Sequence, residues 1–134
     1  MIVIDATALV EPLLDRSGGA AFVAEVVGRE PMHAPEMIDL ECLNTLRRLV
    51  RRSEITEADG DAAAQELEAA HIVRYRHRML RPRVWELRHN LSSYDASYLA
   101  LAEAVRGSTL LTGDNGLYQA AVGVLGTSRV LRLP

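Results

Sequence analysis

Four acidic residues stand where a chain can gather carboxylates at the mouth of an open sheet. Asp5 closes the apolar run Met1-Ile2-Val3-Ile4, and Asp114 follows Thr109-Leu110-Leu111-Thr112-Gly113, a second short strand pattern. Glu41 and Asp95 fall on helical segments, Asp95 in the first turn of a stretch running from Ser92 to Glu103. In an open parallel sheet, binding sites form beyond the carboxyl ends of the strands, where Asp5 and Asp114 emerge. Two carboxylates roughly 5 Å apart repel by about 3 kcal/mol at an effective dielectric of ~20. A cluster of four therefore needs protons or a cation, and oxygen-only donors suit Mg²⁺ or Mn²⁺. The chemistry that follows is metal-assisted phosphodiester hydrolysis. It requires no protein nucleophile, in keeping with a chain that offers no Ser–His or Cys–His constellation.

The neighbours of these acids have two readings each. Thr7 either caps the helix after Asp5 or offers a hydroxyl that orients a metal water. Thr112, just before Asp114, is a lesser candidate of the same kind. Counting by three and four from Glu41 gives Asn44, Arg48 and Arg51, a polar stripe beside apolar Leu40, Leu43, Leu46 and Val50. Asn44 can hydrogen-bond a carboxylate or a substrate phosphate, or simply face solvent. Arg47, Arg48 and Arg51 either complement the helix dipole or hold phosphates. Asp114 in Gly-Asp-Asn-Gly also suits a plain turn. The histidines (His33, His71, His77, His89) show no zinc-ligand spacing. Trp85 and Tyr75 can stack on bases, or pack in the interior or at an interface. The helix around Phe22, Val23, Val26 and Val27 is either core or a partner surface.

Composition narrows the classes. The 134 residues fit one domain with a real core, 49% are apolar, and no run approaches a membrane span. The N-terminus shows no signal-peptide pattern, and the lone Cys42 cannot form an internal disulfide, so a cytoplasmic setting is expected. Cys42 reads as core filler. All 15 basic residues are arginine. A P-loop nucleotide site, a receiver-type phosphotransfer domain and a haloacid-dehalogenase-like phosphatase each rely on a lysine that is missing here. The net charge of −3 hides an asymmetry. Residues 54–70 hold six acids and no base, whereas residues 74–89 hold six arginines against Glu86 alone. Such a basic stretch is either a solvated face or local positive charge for a polyanion.

The elements that must position these groups alternate between short apolar runs and helical periods, an α/β pattern with a mostly parallel sheet. Strands are expected at 2–5, 32–34, 72–75, 109–112 and 129–132. Helices are expected near 7–14, 19–28, 36–52, 56–70, 82–89, 94–106 and 115–122. Pro35 is placed to open the helix that carries Glu41. Thr56 and Asp59 have capping-box spacing, and Gly107 is placed to stop the helix before it. No repeat, low-complexity tract or interdomain linker interrupts residues 1–134.

Taken together, Val3-Ile4-Asp5-Ala6-Thr7-Ala8-Leu9, Glu41-Cys42-Leu43-Asn44-Thr45-Leu46-Arg47-Arg48, the stretch from Tyr94 to Glu103, and Leu110-Leu111-Thr112-Gly113-Asp114 resemble a PIN-domain ribonuclease. The closer likeness is to the VapC-type toxin of a toxin–antitoxin pair. No single piece is specific; the four in order and at spacing are. The resemblance spans essentially the whole chain and implies a PIN-like three-layer fold with a five-stranded sheet. It also implies an endoribonuclease using one or two Mg²⁺ or Mn²⁺ ions. Asp5 and Asp95 are the preferred direct ligands, with Glu41 and Asp114 holding a second ion or orienting the water. A small VapB-like antitoxin, an RNA substrate and a two-fold homodimer are the implied partners. The contrasting class is a non-catalytic PIN-like module that binds protein or RNA without cutting it. An intact acidic quartet argues against that class, because pure binding gives no reason to keep such repulsion.

Overall fold

A strand of three residues lies at the centre of the sheet. In the computed structural model, which describes residues 1–134 apart from the side chain of Ser17, β1 (Ile2–Ile4) is flanked on both sides by parallel neighbours. The chain continues through α1 (Ala6–Leu13), α2 (Ser17–Val27), β2 (Met32–Pro35), α3 (Ile38–Arg51), α4 (Glu57–Ala69) and β3 (Ile72–Tyr75). It then forms α5 (Arg81–Glu86), α6 (Ser93–Ala104), β4 (Thr109–Thr112), α7 (Asn115–Leu125) and β5 (Val130–Arg132). The five strands are all parallel in the order β3-β2-β1-β4-β5, with Ile4 opposite Leu111 and Val3 opposite His33. Parallel pairing demands crossovers, and right-handed crossovers put the β1–β3 helices and the β3–β5 helices on opposite faces. The packing agrees: α1 touches α2, α3 and α4, while α6 touches α5 and α7.

Strands covered on both faces must be apolar on both faces. Val3, Ile4, Leu110 and Leu111 are fully buried, joined by Leu9, Ile38, Leu99 and Leu101 from the helices. Each such side chain contributes about 1.5–3 kcal/mol through burial. The central helix α6 is enclosed all round, with every residue from Ala96 to Ala102 buried. Its alanines let the sheet and the neighbouring helices approach closely, and the enclosure fixes where its first turn points.

The observed elements follow the expected ones within a few residues, with informative departures. Asp5 is not the last residue of β1 but the N-cap of α1. Pro35 does not open a helix; it closes β2 opposite Tyr75, and α3 begins at Ile38. At a strand end the missing N–H costs no ladder bond, which makes the site tolerable for proline. Gly107 (φ 76°) does not cap α6, which ends at Ala104; it turns the chain toward β4. The Thr56–Asp59 capping box forms with both reciprocal hydrogen bonds at 3.0 Å. Phe22, Val26 and Val27 on α2 are half-buried against the core, and Val23 is buried in it, so much of that apolar face is internal. Among the described residues no helix is long and apolar enough to cross a membrane.

Candidate active site

Strand order reverses between β1 and β4, because the chain steps from β1 outward to β3 and then returns to β1's other side. A crevice opens at such a switch point beyond the strand ends. Asp5 follows β1 there and Asp114 follows β4, and the starts of α3 and α6 bring Glu41 and Asp95 to the same end.

Asp5 is 3% exposed and heavily engaged. Its Oδ1 accepts from the Thr7 hydroxyl at 2.6 Å and from the Ala8 backbone N–H at 2.9 Å, and its Oδ2 accepts from the Thr112 hydroxyl at 2.5 Å. A carboxylate has about four lone-pair sites, so three donors leave roughly one free, on Oδ2. Burial drives the Asp5 pKa above the ordinary carboxylate value, the three hydrogen bonds oppose that rise, and the charge of Asp95 adds to it.

Two threonines tie the ends of β1 and β4 together. Thr7 Oγ1 donates to Asp5 and accepts from the Gly113 N–H at 2.8 Å. Thr112 Oγ1 donates to Asp5 and accepts from the Asp114 N–H at 2.9 Å. Thr7 therefore does not cap α1, a role Asp5 fills. Gly113 suits this closeness: a Cβ there would lie 3.0 Å from Leu133 and 3.1 Å from Thr7 Oγ1, so those side chains would have to give by a few tenths of an ångström.

The other three acids come from helix starts. Asp114 caps α7 through Oδ1, which accepts from the Leu117 N–H at 2.7 Å. Ser92 caps α6 by accepting from the Asp95 N–H at 3.2 Å, and its side chain also lies by the Asp95 carboxylate, where it works to lower the pKa. Asp95 is raised in pKa by burial first and by the negative charge of Asp114 next. Glu41 is held from across the core: Tyr98 on α6 donates its hydroxyl to Glu41 Oε1 at 3.1 Å. Burial raises the Glu41 pKa, Tyr98 opposes the rise, and Asp95 and Asp5 add to it. The four acids thus sense one another as linked like charges.

Among the described residues, no three His, Cys, Asp or Glu side chains converge into a ready-made metal cage. Asp114 is engaged by its cap and Asp5 by its threonines. The donor chemistry nonetheless fits a hard divalent cation: carboxylate oxygens only, with one open site on Asp5 and an Asp95 carboxylate that has no partner but Ser92 among the described residues.

Tyr98 is the residue that sequence reasoning missed. It is almost fully buried, and its phenol pKa is driven far upward by that burial and by the nearby Glu41. Its position, one turn after Asp95 on the same helix, was the available signal. Asn44 is exposed and makes no side-chain hydrogen bond among the described residues. The three arginines of α3 separate. Among the described residues Arg48, two turns after Glu41 on the same face, bonds only Thr45, at 3.3 Å. Arg47 and Arg51 line a groove toward α4 with Glu57 and Asp61. Leu40 on α3 is 71% exposed, against the apolar packing its stripe suggests. Cys42 is fully buried, and burial with nearby acids pushes its thiol up to about 12, which leaves it inert.

The comparisons with known proteins cover most of the chain. Positions 2–123 match the family model of the PIN domain. The chain is 42% identical over 114 residues to VapC ribonuclease Mb0985 of Mycobacterium bovis, covering 85% of this chain and 86% of that protein. It is 38% identical over 122 residues to Ribonuclease VapC1 of Mycobacterium tuberculosis, with 88% and 89% covered. To Ribonuclease VapC3 of the same species it is 37% identical over 119 residues, with 89% and 86% covered.

Proposed function

This chain belongs to the PIN-domain family, among the VapC ribonucleases, and from that premise we propose that it is a metal-dependent endoribonuclease, the toxin of a toxin–antitoxin pair. The observation that carries the reading is the set of linked carboxylates, Asp5, Glu41, Asp95 and Asp114, at the switch point of the sheet. A protein that only binds has no use for three buried or half-buried acids whose pKa values are all raised.

Asp5 and Asp95 would hold a Mg²⁺ or Mn²⁺ ion, with Glu41 and Asp114 available to a second, and the ion would supply charge neutralisation at the scissile phosphate and a more acidic water. The chain's own groups set the geometry. Thr7, Thr112 and the Ala8 N–H lock the Asp5 carboxylate in one orientation. Tyr98 occupies Glu41 Oε1 and leaves Oε2 to orient the attacking water. Arg48, on Glu41's face of α3, holds a phosphate of the bound strand. In-line attack on phosphorus leaves a 5′-phosphate and a 3′-hydroxyl.

Incubating the purified chain with total RNA in Mg²⁺, Mn²⁺ or EDTA, and mapping new 5′ ends, tests the reading. Cleavage that needs the cation and is lost in Asp95→Asn is expected. Undiminished cleavage in EDTA overturns the metal dependence, and no cleavage under any condition returns the binding module. The same reading assigns a small VapB-like antitoxin and a two-fold homodimer, the commonest closed arrangement. Co-expression with the adjacent open reading frame, followed by purification through a tag on this chain, examines both.

A further inference from the structure

Arg132 closes β5 on the Asp114 side of the acidic site. It lies opposite Thr112 in the β4–β5 register, and the next residue, Leu133, donates its N–H to the Thr112 carbonyl at 3.0 Å. The Arg132 side chain reaches across to α7. Its Nη1 donates to Asn115 Oδ1 at 2.7 Å, and its Cζ lies 5.6 Å from the Tyr118 ring centroid. Asn115 directly follows Asp114, the cap of the same helix. A permanent cation is thus fastened to the neighbour of one of the four acids.

Its charge is not cancelled. Arg74 is paired with Asp39, and Arg83 with Glu86 and Glu103. Arg129, just before β5, engages the carbonyls of Ser108 and Ala102 through Nε and Nη2. Arg132 is exposed and enters no ion pair among the described residues. Both of its contacts are neutral, an amide oxygen and an aromatic ring. An aspartate at position 115 would fix the guanidinium and neutralise it; asparagine fixes it and leaves it charged. The guanidinium has a rigid fork of N–H donors, of which Asn115 takes one. Contact with Tyr118 orders the group before anything binds. A fixed fork with donors to spare complements a phosphate.

Position selects which phosphate. Neighbouring strands lie about 4.8 Å apart, so β5, two places from β1 in the sheet, runs roughly 10 Å from the strand that leads into Asp5. The guanidinium also turns toward α7. It flanks the reacting centre. We propose that Arg132 is a substrate-positioning residue that binds the RNA backbone phosphate next to the scissile one, on the Asp114 side, with Asn115 and Tyr118 holding it in place. The inference rests on the nuclease reading above and adds a second phosphate contact to it. Arg48 stands on Glu41's side, so the strand is gripped on both flanks of the cut.

In EDTA, which on that reading prevents turnover, binding of fluorescein-labelled oligouridylate is followed by anisotropy over a range of salt. Arg132→Gln should lower the slope of log binding constant against log salt by about 0.7, and Arg132→Lys should preserve it. Arg106→Gln, at the opposite end of the sheet, should leave it alone. Asn115→Ala should weaken binding in the parent and add nothing to Arg132→Gln, because it acts only through the guanidinium. All variants should melt with the parent, as exposed sites do. In Mg²⁺, Arg132→Gln should raise KM about fivefold, the factor that a slope of 0.7 gives per decade of salt, with kcat held. An unchanged slope in Arg132→Gln, an equal loss in Arg106→Gln, or a parent that binds no oligouridylate overturns the proposal. A fall in kcat at constant KM overturns it too, since that would place the contact on the reacting phosphate. Additive losses from Asn115→Ala and Arg132→Gln remove Asn115 from it. RNA cleavage with an unchanged slope sinks the Arg132 contact and spares the nuclease; a lowered slope with no cleavage in any cation does the reverse.

Discussion

Asp5 and Asp95 face the same crowding of negative charge in opposite local settings. Asp5 accepts three hydrogen bonds, so Asp5→Asn turns an amide N–H₂ toward hydroxyl or amide donors and leaves buried groups unpaired, at about 1–3 kcal/mol. Asp95 has Ser92 alone beside its carboxylate among the described residues, and Asp95→Asn chiefly relieves burial of charge and repulsion from Asp114. Both variants should lose RNA cleavage at saturating Mg²⁺. In EDTA, however, thermal melting should rank Asp95→Asn above the parent and Asp5→Asn below it; the reverse order would mean that repulsion outweighs the hydrogen bonds at Asp5. Tyr98→Phe removes one hydrogen bond to Glu41 and should cost about 1 kcal/mol in urea unfolding, with turnover falling while KM holds. The four acids were legible in the sequence because each adjoins a strand end or a helix start, where local pattern reports position. Tyr98 was not, because the carboxylate it serves lies 57 residues away. Within its own helix it reads as one more member of an apolar stripe.

At the scale of elements, α3 shows how one helix divides its charges. Arg48 shares Glu41's face, whereas Arg47 and Arg51 turn toward the acids of α4. Arg48→Gln should therefore lower the slope of log binding constant against log salt by about 0.7, the value for one lost single-strand contact. The same change at Arg47 or Arg51 should leave the slope alone, and a slope lowered by all three would restore a continuous basic stripe. Most elements were readable because caps and apolar periods are local signals, as the Thr56–Asp59 box illustrates. Pro35 and Gly107 misled for a shared reason. Each is compatible with a helix boundary, and only the neighbouring strand decides between that and a strand end or a turn. The exposure of Leu40 and of Trp85 was equally illegible, since periodicity names a face without naming what covers it.

For the whole molecule, the site opposes stability. With the pKa values of Asp5, Glu41 and Asp95 raised, the folded chain binds more protons than the unfolded chain from about pH 4 upward. Stability of the chelated protein contributed by these groups is therefore present at low pH and lost as pH rises through the raised values. Melting in EDTA across this range should show that fall, and it should be shallower in Asp95→Asn. A metal that binds only the native state should restore stability at neutral pH by mass action, and a pH profile unaffected by Mg²⁺ would contradict this. The ties between Thr7 and Gly113 and between Thr112 and Asp5 join positions 106 and 107 residues apart, and they give the site a calendar as well as a shape. At ribosomal speeds of ~5–20 residues per second, Asp5 leaves the tunnel several seconds before its partners in β4 are made. Until then β1 lacks one of its two neighbouring strands and Asp5 lacks its bond from Thr112. On the proposed reading a growing chain should stay inactive for most of its synthesis, and a product truncated before β4 should not cleave RNA.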